Sequence, residues 1–145
     1  MRSIVVCLAM AVSLAACDPT RPVSDADRAA LEAHETQWGA RDFHSYEFDY
    51  SETQSTTSFN VHITVVNDTV ATVIDTQTGQ PPAVPRTWPT IDDLFNEADF
   101  AVNEDGISVS LEYDDQYGYL TLFRITSNNS GGGFLARMSG LTPTG

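Results

Sequence analysis

The chain has 145 residues, among them 20 acidic and 7 basic side chains, and a formal net charge of -13. Because every basic residue is arginine, Schiff-base catalysis, a lysine general base and a phosphate-binding loop of the Walker type are excluded. An acidic surface repels nucleic-acid phosphates, so we expect no nucleic-acid partner, and it is typical of a well-solvated domain.

The N-terminus has the features of a bacterial lipoprotein signal. Arg2 precedes an apolar run that is too short to span a bilayer and is typical of a secretory signal peptide. The run closes with Leu14-Ala15-Ala16-Cys17, where small residues precede a cysteine whose thiolate can accept a diacylglyceryl group. We therefore predict a signal peptide over residues 1–16 and lipid attachment at Cys17. The alternative is an ordinary secretory signal that happens to contain this cysteine.

Lipid attachment would decide both the location and the cysteine chemistry. Several acyl chains on Cys17 give lasting membrane attachment, and removal of Cys7 with the signal peptide leaves no partner for an internal disulfide. The expected location is the bacterial cell envelope, facing the periplasm or the exterior, and Asp18 resembles a signal for retention in the inner membrane. After a lipidated cysteine and spacer over 17–23, we expect one domain over 24–145.

The first half of this domain is predicted to combine one helix with three strands. Ser24 offers an N-cap hydroxyl, and acidic residues follow it where the helix dipole favours them. Beyond the helix the periodicity changes to two, which is typical of strands with one buried face and one wet face. The predicted elements are a helix over 24–40 with Ala30, Leu31, His34 and Trp38 inward, strands over 46–50, 59–65 and 69–75, and a turn at Asn67 and Asp68.

The second half is predicted to repeat this order. Residues 76–89 are interrupted by prolines and should form a loop. Thr90 to Asp93 is close to a capping box, so a second helix begins there, and Gly118 should supply a left-handed turn conformation. The predicted elements are a helix with the core stripe Ile91, Leu94, Phe95, Ala98 and Val102, strands over 107–113, 119–126 and 134–139, and a flexible tip over 127–133.

These elements define the fold class. The order is α-β-β-β-α-β-β-β, and the short connections between successive strands favour antiparallel pairing. We therefore expect an α+β domain in which two helices pack on one face of a mainly antiparallel sheet.

Several sequence landmarks occur in a fixed order. They are Trp38, the aromatic strand over 46–50, Pro-Thr-Ile-Asp-Asp-Leu-Phe at 89–95 and Tyr-Asp-x-x-Tyr-Gly-Tyr at 113–119. Together with the lipoprotein signal, they resemble a bacterial family of small lipoproteins of unknown function over about residues 24–126. That family tends to carry cysteines after the first aromatic strand, whereas residues 51–58 contain none. The resemblance implies a fold-sized unit and no established activity.

Calcium binding is one function that the acidic residues suggest. Glu112, Asp114 and Asp115 cluster at one turn, and residues 103–105 form another acidic group. Oxygen ligands of this kind suit Ca²⁺, but neither group has the alternating spacing of a calcium loop. We expect no metal site and no cofactor, and these three residues are only weak metal candidates.

A small hydrolase is the second alternative. Glu47 and Asp49 could meet Glu112 and Asp114 across the sheet and divide acid and base roles between them. Their outward alternation from aromatic strands is equally typical of a solvated sheet face. Because no serine lies in a nucleophile-elbow pattern, we do not expect catalysis.

The favoured hypothesis is a protein-binding or assembly accessory domain that contacts another envelope protein. Tyrosine beside acidic residues provides contact area together with a polar group. The candidate binding residues are Asp114, Asp115, Tyr117 and Tyr119. The alternative is that Tyr117 and Tyr119 only brace their own turn. An inhibitor that inserts this hairpin into an enzyme cleft would use the same residues.

Overall fold

The computed structural model of the chain describes residues 22–127 and 132–144. The predicted signal peptide and Cys17 lie outside these ranges. Within them the chain forms two helices and six strands. The elements are α1 (Asp25–Gly39), β1 (Tyr46–Gln54), β2 (Thr57–Val66), β3 (Thr69–Asp75), α2 (Ile91–Val102), β4 (Ile107–Tyr113), β5 (Leu120–Ser127) and β6 (Gly133–Pro143).

The six strands make one antiparallel sheet in the order β3-β2-β1-β6-β5-β4. The last strand, β6, lies between β1 and β5 and so joins the two halves of the domain. Both helices contribute to a single core against one face of the sheet. The predicted α+β class and its element order are confirmed.

Each helix begins at the N-cap residue that its sequence predicts, and in both helices the cap is a complete capping box. The carboxylate of Asp27 accepts a hydrogen bond from the Ser24 amide at 2.7 Å, and the Ser24 hydroxyl accepts one from the Asp27 amide. At α2, the Asp93 carboxylate accepts from the Thr90 amide at 2.9 Å, and the Thr90 hydroxyl accepts from the Asp93 amide at 3.1 Å. These bonds satisfy amides that the first turn of a helix leaves unpaired, which fixes both starting points.

The buried helix faces follow the predicted spacing. Leu31 and Trp38 of α1 are buried, whereas Ala30 and His34 are only partly buried. His34 stacks on Tyr113 with ring centroids 3.9 Å apart. The two helices are also tied together, because the Arg28 guanidinium donates to the carbonyl of Val102 at 3.0 Å. The whole predicted stripe of α2 is buried, namely Ile91, Leu94, Phe95, Ala98 and Val102.

Two of the predicted turns have the expected backbone conformation. Asn67 and Asp68 have φ values of 49° and 58°, which is the left-handed pair that a two-residue hairpin turn requires. Gly118 has a φ of 78°, and a side chain there would lie 2.9 Å from the Gln37 side chain. Position 118 therefore requires glycine for two reasons: its backbone is left-handed, and there is little room for a side chain.

Strand β1 is longer than its sequence predicted. It continues past Tyr50 to Gln54 and turns into β2 through Ser55, whose φ is 54°. The prediction ended too early because Glu52 is a charged residue at a core-facing position. It is 5% exposed in the structure and has a cationic partner there, Arg86.

Strand β6 also exceeds its prediction. It runs beyond Ser139 to Pro143, because Gly140 adopts a φ of 66° where the pairing with β1 shifts register. The glycine marks a bulge in the strand rather than its end. None of the helices in the described ranges has the length and apolar character needed to cross a membrane.

Candidate functional site

An ion pair fixes the loop before α2 against the end of β1. The Arg86 guanidinium donates to both carboxylate oxygens of Glu52, at 3.0 and 2.9 Å. The Tyr50 hydroxyl donates to the same carboxylate at 2.7 Å. Burial raises the pKa of Tyr50, and the hydrogen bond to Glu52 raises it further, so the phenol remains a donor.

Aromatic rings surround the guanidinium. Arg86 lies over the rings of Trp88 and Phe59, with distances to the ring centroids of 4.7 and 5.1 Å. The two rings meet edge to face at 5.5 Å. This arrangement adds cation–π attraction to a bidentate ion pair, and the hydrogen bond to Glu52 raises the pKa of Arg86.

Beside this ion pair, a cavity opens between α2 and residues of β1, β4, β5 and β6. The opening, which we call the α2 groove, has an apolar part of about 530 Å³ and a polar part of about 450 Å³. The two parts adjoin, since both are lined by Gln54, Asn96, Glu97 and Phe134. The apolar part is otherwise lined by Phe100, Ala101, Glu104, Ile107, Phe123 and Ile125, and the polar part by Tyr50, Glu52, Arg86, Thr87, Trp88, Pro89 and Asp93.

Phe100 is the most exposed of the large apolar side chains in the described chain. It is 67% exposed on α2 and lines the apolar part of the groove. The floor below it includes Phe123, which is buried, and the partly buried Ile125 and Phe134. An exposed aromatic ring next to an open apolar cleft is the feature of this domain most typical of a binding site.

Glu97 stands where the two parts of the groove meet. Partial desolvation raises the pKa of its carboxyl, and the charges of Glu52 and Asp93 raise it further. Within the described ranges, Glu97 has no hydrogen bond or ion pair at contact distance. The surroundings of the Glu97 carboxylate therefore disfavour its charged form. The positive charge of Arg86 offsets this effect only in part.

The predicted binding turn is engaged within its own domain. The Asp114 carboxylate accepts from the backbone amides of Gln116 and Tyr117, at 3.0 and 2.6 Å. Tyr117 packs edge to face on Phe43, and Tyr119 is 6% exposed against Trp38. Asp115 is exposed, and its carbonyl accepts from the Gln37 side chain. A binding role for these four residues, Asp114, Asp115, Tyr117 and Tyr119, stays a prediction.

Of the four carboxylates of the hydrolase alternative, Glu47, Asp49 and Glu112 lie on the face of the sheet away from the helices. Glu47 and Asp49 flank His62, whose Nδ1 is 2.9 Å from Asp49 Oδ1. Strands β6 and β5 separate them from Glu112 on β4, although Asp49 and Glu112 line the same open cleft of about 660 Å³. Asp114 caps its own turn instead of facing that cleft.

The calcium alternative gains no structural support. Glu112, Asp114 and Asp115 do not converge, and in residues 22–127 and 132–144 no group of three or more His, Cys, Asp or Glu side chains is arranged to hold a metal ion. The Asp114 oxygen that faces its turn is already occupied by backbone amides. This turn is therefore built by hydrogen bonds within the protein.

The groove residues did not emerge from the sequence patterns, although two signals were present. Glu52 continues the core-facing positions of Tyr46, Phe48 and Tyr50, which marks it as a charge that needs a buried partner. Phe100 lies off the apolar stripe of α2, where a large aromatic residue has no packing role. The position of Arg86 in a loop gave no such signal.

The fold and the groove define a small α+β domain with an open, acidic-rimmed cleft. The chain belongs to DUF6174, described as a family of unknown function, which it matches over residues 30–130. The sequence-based resemblance to an uncharacterised family is confirmed at that level. No curated protein matches the sequence significantly.

Proposed function

We propose that this protein is a lipid-anchored accessory domain of the bacterial cell envelope that binds another envelope protein in the α2 groove. The observation that carries the proposal is Phe100, which is 67% exposed beside an open apolar cleft. Burial of an aromatic side chain and of the cleft floor on binding would supply the apolar contact that dominates most interfaces. The adjoining polar groups would fix the orientation of the ligand.

The groove is built on rigid elements, which suits recognition of a specific partner. Its walls are one helix and the ends of paired strands, and the loop along its polar part is held by Arg86 on Glu52. A preformed site loses little conformational entropy on binding, so more of the contact energy appears as affinity. This favours the groove over the predicted turn, in which Tyr117 and Tyr119 are already packed.

The envelope location rests on the sequence alone. Leu14-Ala15-Ala16-Cys17 supplies the acceptor thiol, and a spacer of a few residues would keep the domain close to the bilayer surface. Asp18 favours the inner membrane. A partner would therefore be a membrane protein or another protein tethered nearby.

The anchor is tested by Cys17→Ser in the native host. We expect the protein to move from the membrane fraction to the soluble fraction, because the acyl chains have lost their attachment site. Cys7→Ser is the matched control and should leave the protein in the membrane fraction. Retention of Cys17→Ser in the membrane fraction would reject lipid attachment at this residue.

The binding site is tested by photo-crosslinking in cells, with a photoreactive amino acid in place of Phe100 or of Asp115. We expect position 100 to capture one envelope protein repeatedly. A second crosslinker in place of Glu104 should capture the same protein, and Phe100→Ala should remove that capture. Val66→Ala, at another exposed apolar side chain, is the control and should leave capture unchanged. Capture only from position 115 would move the site to the predicted turn and reject the groove.

A further inference from the structure

The α2 groove combines an apolar floor with a rim of one charge. Three acidic side chains border it along and just beyond α2, namely Asp93, Glu97 and Glu104. Within the described chain, Arg86 is the single cation that lines the groove, and both of its terminal nitrogens already bond Glu52. A ligand therefore meets negative charge beside an apolar surface, and the cation that lines the groove is already paired with Glu52.

The charge of the groove selects among the occupants that an apolar cleft could take. A second copy of this chain also carries a formal net charge of -13 and would be repelled. An anionic lipid surface would be repelled for the same reason. A cationic group is favoured, because it would partner Glu97, which lacks a hydrogen bond or ion pair elsewhere in the described residues.

The geometry of α2 sets the spacing of the ligand groups. Between Glu97 and Phe100 the helix rises about 4.5 Å. An extended peptide covers that distance in about one to two residues, and residues two apart point to the same side. A basic side chain at Glu97 and an apolar side chain beside Phe100 can thus belong to one short segment.

We propose that the α2 groove binds a basic amphipathic peptide segment, with an arginine or lysine at Glu97 and a large apolar side chain, about two positions away, on the floor beside Phe100. This inference rests on the proposed binding function and names the chemistry of the partner. The cation pairs with the Glu97 carboxylate, where the polar and apolar parts of the groove meet. The apolar side chain covers Phe123 and Ile125 in the apolar part.

The test begins with a display library of random short peptides, selected on the full-length protein in nanodiscs of zwitterionic lipid. We expect enriched sequences to carry Arg or Lys about two positions from a large apolar residue. Enrichment of acidic or uncharged sequences would overturn the proposal, and so would a failure to enrich any sequence. In either case crosslinking at position 100 still decides separately whether the groove binds a protein.

The most enriched peptide is then synthesised, and its dissociation constant is measured with matched variants. Glu97→Gln should weaken binding about fourfold, as expected for a partly exposed charge pair. Phe100→Ala should weaken it about tenfold through lost apolar contact. Glu32→Gln changes an exposed carboxylate on α1 and should leave the dissociation constant unchanged. Equal binding by Glu97→Gln and the unmodified protein would overturn the proposal.

Reversing the charges of Glu97 and of the basic peptide residue distinguishes a direct contact between them from the general electrostatic field of the acidic protein. A peptide with glutamate in place of its basic residue should bind the unmodified protein poorly and should bind Glu97→Arg better. Loss of affinity in Phe100→Ala without any effect of charge reversal would preserve the binding groove and reject the basic ligand. Insensitivity to both substitutions would place the peptide outside the groove and overturn the proposal.

Discussion

At the scale of single residues, the strongest constraint on the site is the buried Glu52 carboxylate. It is 5% exposed and depends on Arg86, whose side chain is 30% exposed. Breaking a buried ion pair by removing one partner costs more than the pair contributes, because a charge remains buried without compensation. The ion pair therefore mainly fixes the shape of the loop and of the polar part of the groove.

Arg86→Ala should destabilise the domain by about 2 kcal/mol, less than for a fully enclosed pair because solvent reaches the guanidinium. Glu52→Gln should cost less, since it removes the buried charge itself. The measurement is the free energy of unfolding from urea denaturation of each variant and of the double variant. The double variant should lose less free energy of unfolding than the two single variants lose together. Strictly additive losses would show that the two side chains are not coupled.

His62 should make stability depend on pH. The hydrogen bond to Asp49 raises the pKa of His62 most, and Glu47 adds to it, against an opposing effect of burial. Its folded pKa therefore lies above the unfolded value of about 6.5. The stabilisation is fully present below about pH 6.5 and is lost as the pH rises through the folded pKa.

We expect the stability advantage of the unmodified protein over His62→Gln to decrease as the pH is raised through the His62 pKa. Urea denaturation at a series of pH values measures this advantage, and NMR titration of the ring protons measures the pKa directly. Asp49→Asn is the matched control and should return the pKa of His62 towards its ordinary value. An NMR pKa of about 6.5 or below in the unmodified protein would contradict the interpretation.

At the scale of elements, the sequence was informative wherever local pattern and tertiary packing agree. Ser24 and Thr90 predicted both helix starts because an N-cap and its acidic partner lie within four residues of sequence. Asn67 and Asp68 predicted their hairpin in the same local way, because both residues tolerate the left-handed conformation that a two-residue turn requires. The local chemistry of these segments is sufficient to determine their backbone.

The predictions that ended too early depended on partners distant in sequence. Glu52 could continue β1 only because Arg86, 34 positions away, neutralises it. Gly140 could lie within β6 only because β1 pairs along its whole length and accommodates a bulge. The groove is non-local in the same way, since α2 and the ends of β1, β4, β5 and β6 enclose it together. A hydrophobic pattern describes one element and carries no information about such a juxtaposition.

At the scale of the whole molecule, net charge and membrane tethering both act on the encounter with a partner. A formal net charge of -13 without lysine attracts a basic segment over distances longer than any contact. Attachment to the bilayer would restrict the search to partners near the membrane and raise their effective concentration. Long-range attraction mainly accelerates encounter, whereas a close pair such as one at Glu97 mainly slows dissociation.

This difference predicts a division of kinetic effects for the selected basic peptide. Raising the salt concentration from about 50 mM to about 500 mM should lower the association rate constant about tenfold, because mobile ions screen the summed field of the acidic surface. Glu97→Gln should instead raise the dissociation rate constant and leave association almost unchanged, because one charge contributes little to the total field. Stopped-flow fluorescence at several salt concentrations separates the two constants, with Glu32→Gln as the control for loss of a single charge elsewhere. An association rate constant that does not change with salt would show that the overall acidity plays no part in capture. An unchanged dissociation rate constant in Glu97→Gln would show that this carboxylate does not contact the peptide.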